Sequence, residues 1–179
     1  MSHNDRVTRI PPPGRLVDAG GFRLHLYAFG QGGPIVVFDA ALGASSLSWT
    51  LVQAEVARFA RTCAYDRAGF GWSDRGPLPR TAGRTADELR RALERAGEPP
   101  PYVLVGHSYG GLVMRIFAGR YRSDTAGLIL VDPAHPEDWL QPAEKEQTRV
   151  AAARAGADAR SCIGTPGVDR VCERRAAGQ

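Results

Sequence analysis

The sequence predicts an α/β fold in which a mostly parallel β-sheet carries helices on both of its faces. Short apolar runs at residues 35–38, 102–105 and 127–131 have the uninterrupted apolar character of strands that are buried on both faces. Segments with helical spacing separate these runs, and strands that alternate with helices form parallel sheets. A chain of 179 residues is long enough for one domain with a sizeable core.

The elements follow one another in a simple order. Residues 1–13 are polar and rich in proline, and we expect them to form a loose lead-in. The predicted elements of the core, residues 14–136, are strands at 15–17, 22–27, 35–38, 61–65, 102–105 and 127–131, and helices at 47–59, 85–96 and 109–120. The first of these helices places an apolar set on one side, namely Leu47, Leu51, Val52, Val56 and Phe59.

Residues 106–111, Gly-His-Ser-Tyr-Gly-Gly, carry the most informative motif of the chain. They join the apolar run 102–105 to a predicted helix, and G-x-S-x-G at such a junction is the nucleophile elbow. The turn strains the serine backbone and directs the first N–H groups of the helix towards a bound group. We therefore expect Ser108 to be a nucleophile. The structural alternative is an ordinary glycine-rich turn with a solvated serine.

Three further segments complete a resemblance to the α/β-hydrolase family, and to its esterase-like serine enzymes in particular. Residues 35–40 resemble the third strand of that family, residues 65–74 the loop after its fourth strand, and residues 127–136 its sixth strand and exit. The resemblance runs from about residue 14 to residue 136. It implies a hydrolase that acts on a carboxylic ester or a related small acyl compound without a cofactor.

The resemblance also assigns an oxyanion hole. One N–H donor is expected from Tyr109, the residue after the nucleophile, and the other from the loop after the third strand. Leu42 is the predicted donor of that loop. Many relatives carry glycine where this chain has Ala41, and alanine resists the positive φ that glycine accepts.

The catalytic acid and base are less evident in the sequence. Asp132 follows the sixth strand, where some relatives place the acid, although it could equally cap the loop before Pro133. Family order puts the histidine after the acid. His135 is the only histidine after Ser108, and it lies three residues from Asp132, too close for an ordinary triad. His107 occupies the variable elbow position, and we expect it to brace the turn.

The sequence therefore favours a partial hydrolase fold that is truncated after about the sixth strand. Residues 137–159 would be the helical start of a cap, and residues 160–179 would be disordered. We expect slow hydrolysis of activated esters and self-association through an exposed sheet edge at 128–131. Two other interpretations stay open. The first is a carbon–carbon bond hydrolase or cofactor-free haloperoxidase of the same fold. The second is a non-catalytic, hydrolase-like remnant.

Composition excludes several other classes. No segment is apolar enough to span a membrane, and the first residues lack the apolar centre of a signal peptide, which favours the cytoplasm. The basic residues are scattered among acidic ones, which argues against nucleic-acid binding. Cys63 lies in an apolar strand and is expected in the core. Cys162 and Cys172 lack further ligands, so we expect no metal site.

Overall fold

The structure is a computed structural model that describes residues 11–135. The sheet with its helices belongs to the unit Met1–Ala134, and His135 belongs to a second unit. The predicted cap at 137–159 and the predicted disordered tail at 160–179 lie outside the described residues, as does most of the lead-in at 1–13.

Six strands form one mixed sheet in the order β1-β2-β4-β3-β5-β6. The first two pairings, β1 with β2 and β2 with β4, are antiparallel, whereas the pairings of β3 with β4, β3 with β5 and β5 with β6 are parallel. The strands are β1 Arg15–Asp18, β2 Arg23–Phe29, β3 Ile35–Asp39, β4 Thr62–Tyr65, β5 Tyr102–Ser108 and β6 Thr125–Pro133. The mostly parallel sheet predicted from the sequence is thereby confirmed.

Helices cover both faces of this sheet, as predicted. The helices are α1 Thr50–Val56, α2 Ala82–Arg95 and α3 Tyr109–Arg120, with 3-10 turns at Ser46–Trp49 and Arg122–Asp124. Helices α2 and α3 enclose the larger core, in which Leu89 and Phe117 pack with sheet residues such as Leu104. A smaller core lies on the opposite face, beneath the 3-10 turn that precedes α1. Among residues 11–135 no helix has the length and hydropathy that a membrane span requires.

Helix α1 differs from its prediction in length and in the face it buries. It ends at Val56 and begins only after the 3-10 turn, which shifts the helical register. The predicted apolar face is largely exposed, with Leu51 84% and Phe59 77% accessible. Trp49 is buried instead, with its ring 5.0 Å from that of Phe38. Gln53 is also buried because its amide donates to the Tyr27 carbonyl at 2.8 Å.

Strand β6 forms one edge of the sheet. It pairs in parallel with β5, and within residues 11–135 no strand pairs with its outer side. Ile129 and Val131 are 51% and 42% exposed. Residues 129–131 of this edge strand are uncharged and exposed, and another chain can pair with such a surface.

Candidate active site

The turn between β5 and α3 holds Ser108 in a strained backbone conformation. Strand β5 ends at Ser108 and α3 begins at Tyr109, so the serine stands at the strand–helix junction that its motif predicts. Its φ and ψ are 51° and −119°. Positive φ is rare for residues other than glycine, and surrounding packing must enforce it. The expected strained junction is confirmed.

The elbow glycines are required by close backbone approach. A Cβ atom on Gly106 would lie 2.5 Å from the Gly110 carbonyl oxygen. One on Gly110 would lie 2.4 Å from the Asp39 carbonyl oxygen and 2.7 Å from that of Ala40. Real side chains do not tolerate such contacts. Glycine at 110 therefore lets the first turn of α3 rest directly on the end of β3 and the loop that follows.

That loop presents the predicted second oxyanion donor, Leu42. A turn is closed by the Ala44 N–H, which donates to the Ala41 carbonyl at 3.1 Å. Gly43 provides the left-handed position of the turn, with φ of 79°. Ala41 therefore needs no positive φ, and its replacement of the family's glycine costs no backbone strain. Within the described residues the Leu42 N–H donates to no other group, so it is available to a ligand.

A buried ionic cluster that the sequence did not predict lies behind both predicted donors. Asp39, fully buried at the end of β3, accepts hydrogen bonds from Arg67 and, at 2.9 Å, from the Tyr65 hydroxyl. Burial raises the pKa of Tyr65 well above its usual value, and the charge of Asp39 adds to this effect, so the phenol stays a donor. A carboxylate at the end of a strand that is buried on both faces requires a cationic partner. Asp39 directly after the apolar run 35–38 is the sequence feature that could have indicated a partner such as Arg67.

The Arg67 guanidinium reaches the oxyanion loop as well as Asp39. It donates to the Ala40 carbonyl at 2.6 Å and also to the Ala41 carbonyl. Its Cζ lies 5.4 Å from the centroid of the Tyr109 ring and 5.5 Å from that of Phe70. The side chain is 5% exposed. One buried cation thus contacts residues on both sides of the predicted oxyanion hole.

Asp132, the predicted acid, lies on the strand beside the nucleophile. Ser108 pairs with Pro133 across a register shift, and the Ala134 N–H donates to the Ser108 carbonyl at 3.0 Å. Asp132 has a φ of 41°. Among the non-glycine residues described, only Asp132 and Ser108 have a positive φ. Its side chain is exposed at the same end of the sheet as Ser108. Its role as the acid stays a prediction.

His25 of strand β2 has structural surroundings. His25 is fully buried, and its Nδ1 lies 3.0 Å from Asp66 Oδ2. Asp66 also accepts the backbone N–H groups of Ser46 and Trp72, so it organises the loop that follows β4. Burial would raise the pKa of Asp66, but the hydrogen bond from His25 and those two backbone bonds lower it overall. His135 belongs to the second unit, and the expectation that it is not the catalytic base stays a prediction.

Two open clefts of the described residues lie away from the elbow: one of about 510 Å³ beside α2 and the β1–β2 turn, and one of about 390 Å³ beside β2 and Arg61. Ser108 lines neither of them. No group of three or more histidine, cysteine, aspartate or glutamate side chains within residues 11–135 is arranged to hold a metal ion.

The sheet order, the elbow and the loops at its edge match one known family. The family model described as the alpha/beta hydrolase fold matches residues 33–159. The chain belongs to the α/β-hydrolase fold family. This membership confirms the resemblance read from the sequence.

Several proteins that are similar to this chain show how far the similarity extends. A solved thermophilic esterase from Thermogutta terrifontis is 30% identical with a TM-score of 0.62, and the match covers 78% of this chain and 50% of that one. The uncharacterized protein YqjL of Bacillus subtilis is 37% identical over 105 residues, which are 59% of this chain and 42% of YqjL. The (lyso)-N-acylphosphatidylethanolamine lipase of Bos taurus is 35% identical over 91 residues, 48% of this chain and 25% of the lipase. The chain spans about half the length of the solved structures that it matches.

Proposed function

We propose that this α/β-hydrolase chain carries the nucleophile and the oxyanion hole of a serine hydrolase that acts on a carboxylic ester or a related acyl compound. The observation that carries the proposal is the strained backbone of Ser108 at the β5–α3 junction, with φ and ψ of 51° and −119°. A fold stores such strain mainly where function uses it. The esterase and lipase among the similar proteins support the same substrate class.

The chemistry follows from the positions of the groups. Ser108 Oγ attacks the ester carbonyl carbon, and its proton passes to a base. The carbonyl oxygen becomes an oxyanion between the N–H groups of Leu42 and Tyr109, with the N-terminus of α3 adding a favourable dipole. Collapse of the tetrahedral intermediate breaks the bond to the alcohol oxygen, which takes a proton and leaves. Water then attacks the acyl-serine and releases the carboxylic acid.

The acid and the base of this scheme are assigned from family order. Asp132 is the proposed acid because it lies beside Ser108 at the end of β6. His135 is the only histidine that follows Ser108 in this sequence, and it stands three residues from Asp132. That spacing disfavours a triad made from these two residues, so we expect this chain to turn over esters slowly, through the oxyanion hole without an efficient base.

A p-nitrophenyl ester series tests the proposal. The full chain should release p-nitrophenolate from the acetate above the rate in buffer alone. Ser108→Ala should remove that activity, while Ser48→Ala, which changes an exposed serine of the 3-10 turn, should retain it. His135→Ala should leave the slow rate unchanged. Activity that survives Ser108→Ala refutes the proposed nucleophile, and loss of activity in His135→Ala identifies that residue as the base.

The same experiment separates the other interpretations. A carbon–carbon bond hydrolase or cofactor-free haloperoxidase uses the same elbow, and would act on its own substrate class in preference to the simple esters. A non-catalytic remnant would give a rate equal to that of Ser108→Ala.

A further inference from the structure

We propose that Arg67 is a positioning residue that aligns both donors of the oxyanion hole. This inference rests on the proposed function, because it concerns the same site. It starts from the buried cluster of Asp39, Tyr65 and Arg67, which the reaction itself does not require. A buried ion pair is weak evidence for stability, since desolvation offsets most of its Coulombic gain. Its contacts with the loop after β3 suggest a different use.

The first contact orients the Leu42 N–H. Arg67 donates to the Ala40 and Ala41 carbonyls, which lie immediately before that amide in the chain. The Ala41 carbonyl and the Leu42 N–H belong to one planar trans peptide, and they point in opposite directions. Fixing the carbonyl on Arg67 therefore fixes the N–H so that it points away from the guanidinium.

The second contact concerns Tyr109, whose N–H is the other proposed donor. The Arg67 guanidinium lies over the Tyr109 ring, with its Cζ 5.4 Å from the ring centroid. Cations bind the face of an aromatic ring, most strongly where water is excluded. The stacking therefore couples the start of α3 to the loop after β3. Both elements also touch where Gly110 meets the carbonyl oxygens of Asp39 and Ala40.

Asp39 holds the guanidinium in this position. Its carboxylate, fixed by the Tyr65 hydroxyl at 2.9 Å, compensates the buried charge of Arg67. Within residues 11–135 the Arg67 Nε has no hydrogen-bond acceptor. The two Nη groups of the guanidinium therefore bind Asp39 and two backbone carbonyls, while the Nε donor stays unpaired. Lysine, a point charge without a planar fork, cannot reproduce this set of contacts.

Arg61 provides a matched control. It donates to Glu98 through Nε and Nη2, both at 2.6 Å, and to the Gly30 carbonyl at 3.2 Å. Glu98 is buried like Asp39. Arg61 immediately precedes β4, whereas Arg67 follows that strand, so the two arginines stand at opposite ends of the sheet. Arg61→Lys therefore changes an arginine–carboxylate pair in the same way, but far from Ser108.

The test measures phosphonylation of Ser108 in the full chain by an alkyl p-nitrophenyl phosphonate. Serine oxygen displaces p-nitrophenolate at phosphorus, and the serine proton passes to buffer. Arg67→Lys should lower the rate constant of phosphonylation by about tenfold to a hundredfold, with the apparent dissociation constant of the probe unchanged. Arg61→Lys should leave both quantities at wild-type values, although both variants lower the melting temperature. Wild-type phosphonylation in Arg67→Lys, or an equal loss in Arg61→Lys, would overturn the proposal.

A second measurement does not depend on reactivity. The NMR order parameter of the Leu42 backbone N–H should fall in Arg67→Lys and remain as in the wild type in Arg61→Lys. An unchanged order parameter in Arg67→Lys refutes the positioning role even if Ser108 proves unreactive, and an unreactive wild-type Ser108 refutes the proposed function alone. If Arg67→Lys does not fold, Tyr65→Phe keeps the ion pair and removes one bond to Asp39. It should then show a smaller loss in the same direction, and wild-type behaviour would overturn the proposal.

Discussion

Replacing Gly110 by alanine should damage both the stability of the fold and the reactivity of Ser108. The added Cβ would lie 2.4 Å from the Asp39 carbonyl oxygen and 2.7 Å from the Ala40 carbonyl oxygen, and both are backbone atoms. An ordinary contact requires about 3.4 Å or more, so the start of α3 and the end of β3 must separate by about 1 Å. Overpacking of this kind costs about 1–3 kcal/mol. A displacement of about 1 Å at a reacting centre can cost about a hundredfold in rate.

Gly119, near the other end of the same helix, provides the control. A Cβ atom there meets nothing within 4 Å, so Gly119→Ala should stabilise the chain by up to about 1 kcal/mol through helix propensity. Urea denaturation of the full chain should then separate the two variants by about 1–4 kcal/mol. Phosphonylation of Ser108 should slow only in Gly110→Ala. Wild-type stability in Gly110→Ala would show that the close approach in the elbow is not real.

Three further predictions concern Asp66, Cys63 and strand β6. Hydrogen bonds keep the folded-state pKa of Asp66 below its unfolded-state value, so its stabilisation is present above about pH 4 and lost as the pH falls through the folded-state pKa. Urea denaturation measured at a series of pH values should show this loss of stability, and Asp66→Asn should reduce the pH dependence. The same pH dependence in Asp66→Asn and the wild type would contradict the role given to Asp66. Burial raises the pKa of Cys63 to about 12. With the other two cysteines changed to serine, a thiol reagent should therefore modify only the unfolded chain, and reaction of the native chain would show that Cys63 is accessible. The half-exposed edge at Ile129 predicts concentration-dependent association in sedimentation velocity, which Ile129→Lys should weaken; a wild-type monomer at high concentration argues against it.

The elbow was predictable from the sequence because its requirements are local. Glycine must stand two residues on either side of Ser108 for steric reasons, and the flanking strand and helix are nearly continuous in sequence with it. Helix α3 accordingly begins and ends where the sequence predicts, at Tyr109 and Arg120. The order of strands and helices was also predictable, because strands that are buried on both faces are apolar along their whole length.

The buried face of α1 and the Asp39–Arg67 pair were not predictable in the same way. Apolar spacing favoured the side of α1 that carries Leu51, but the 3-10 turn and the docking of Trp49 on Phe38 decided which side is buried. Asp39 and Arg67 are 28 residues apart and meet only because β3 and β4 are neighbours in the sheet. Long-range contacts of this kind depend on the assembled fold.

Ser108 is the proposed nucleophile, and covalent labelling is the sharpest test of that role. The full chain is treated with an alkyl p-nitrophenyl phosphonate, digested and mapped by mass spectrometry. We predict one phosphonyl group per chain, on the peptide that contains Ser108, with Ser108→Ala left unlabelled and Gly119→Ala labelled as the wild type. Label on another residue, or an unmodified Ser108 in a folded chain, would contradict the account.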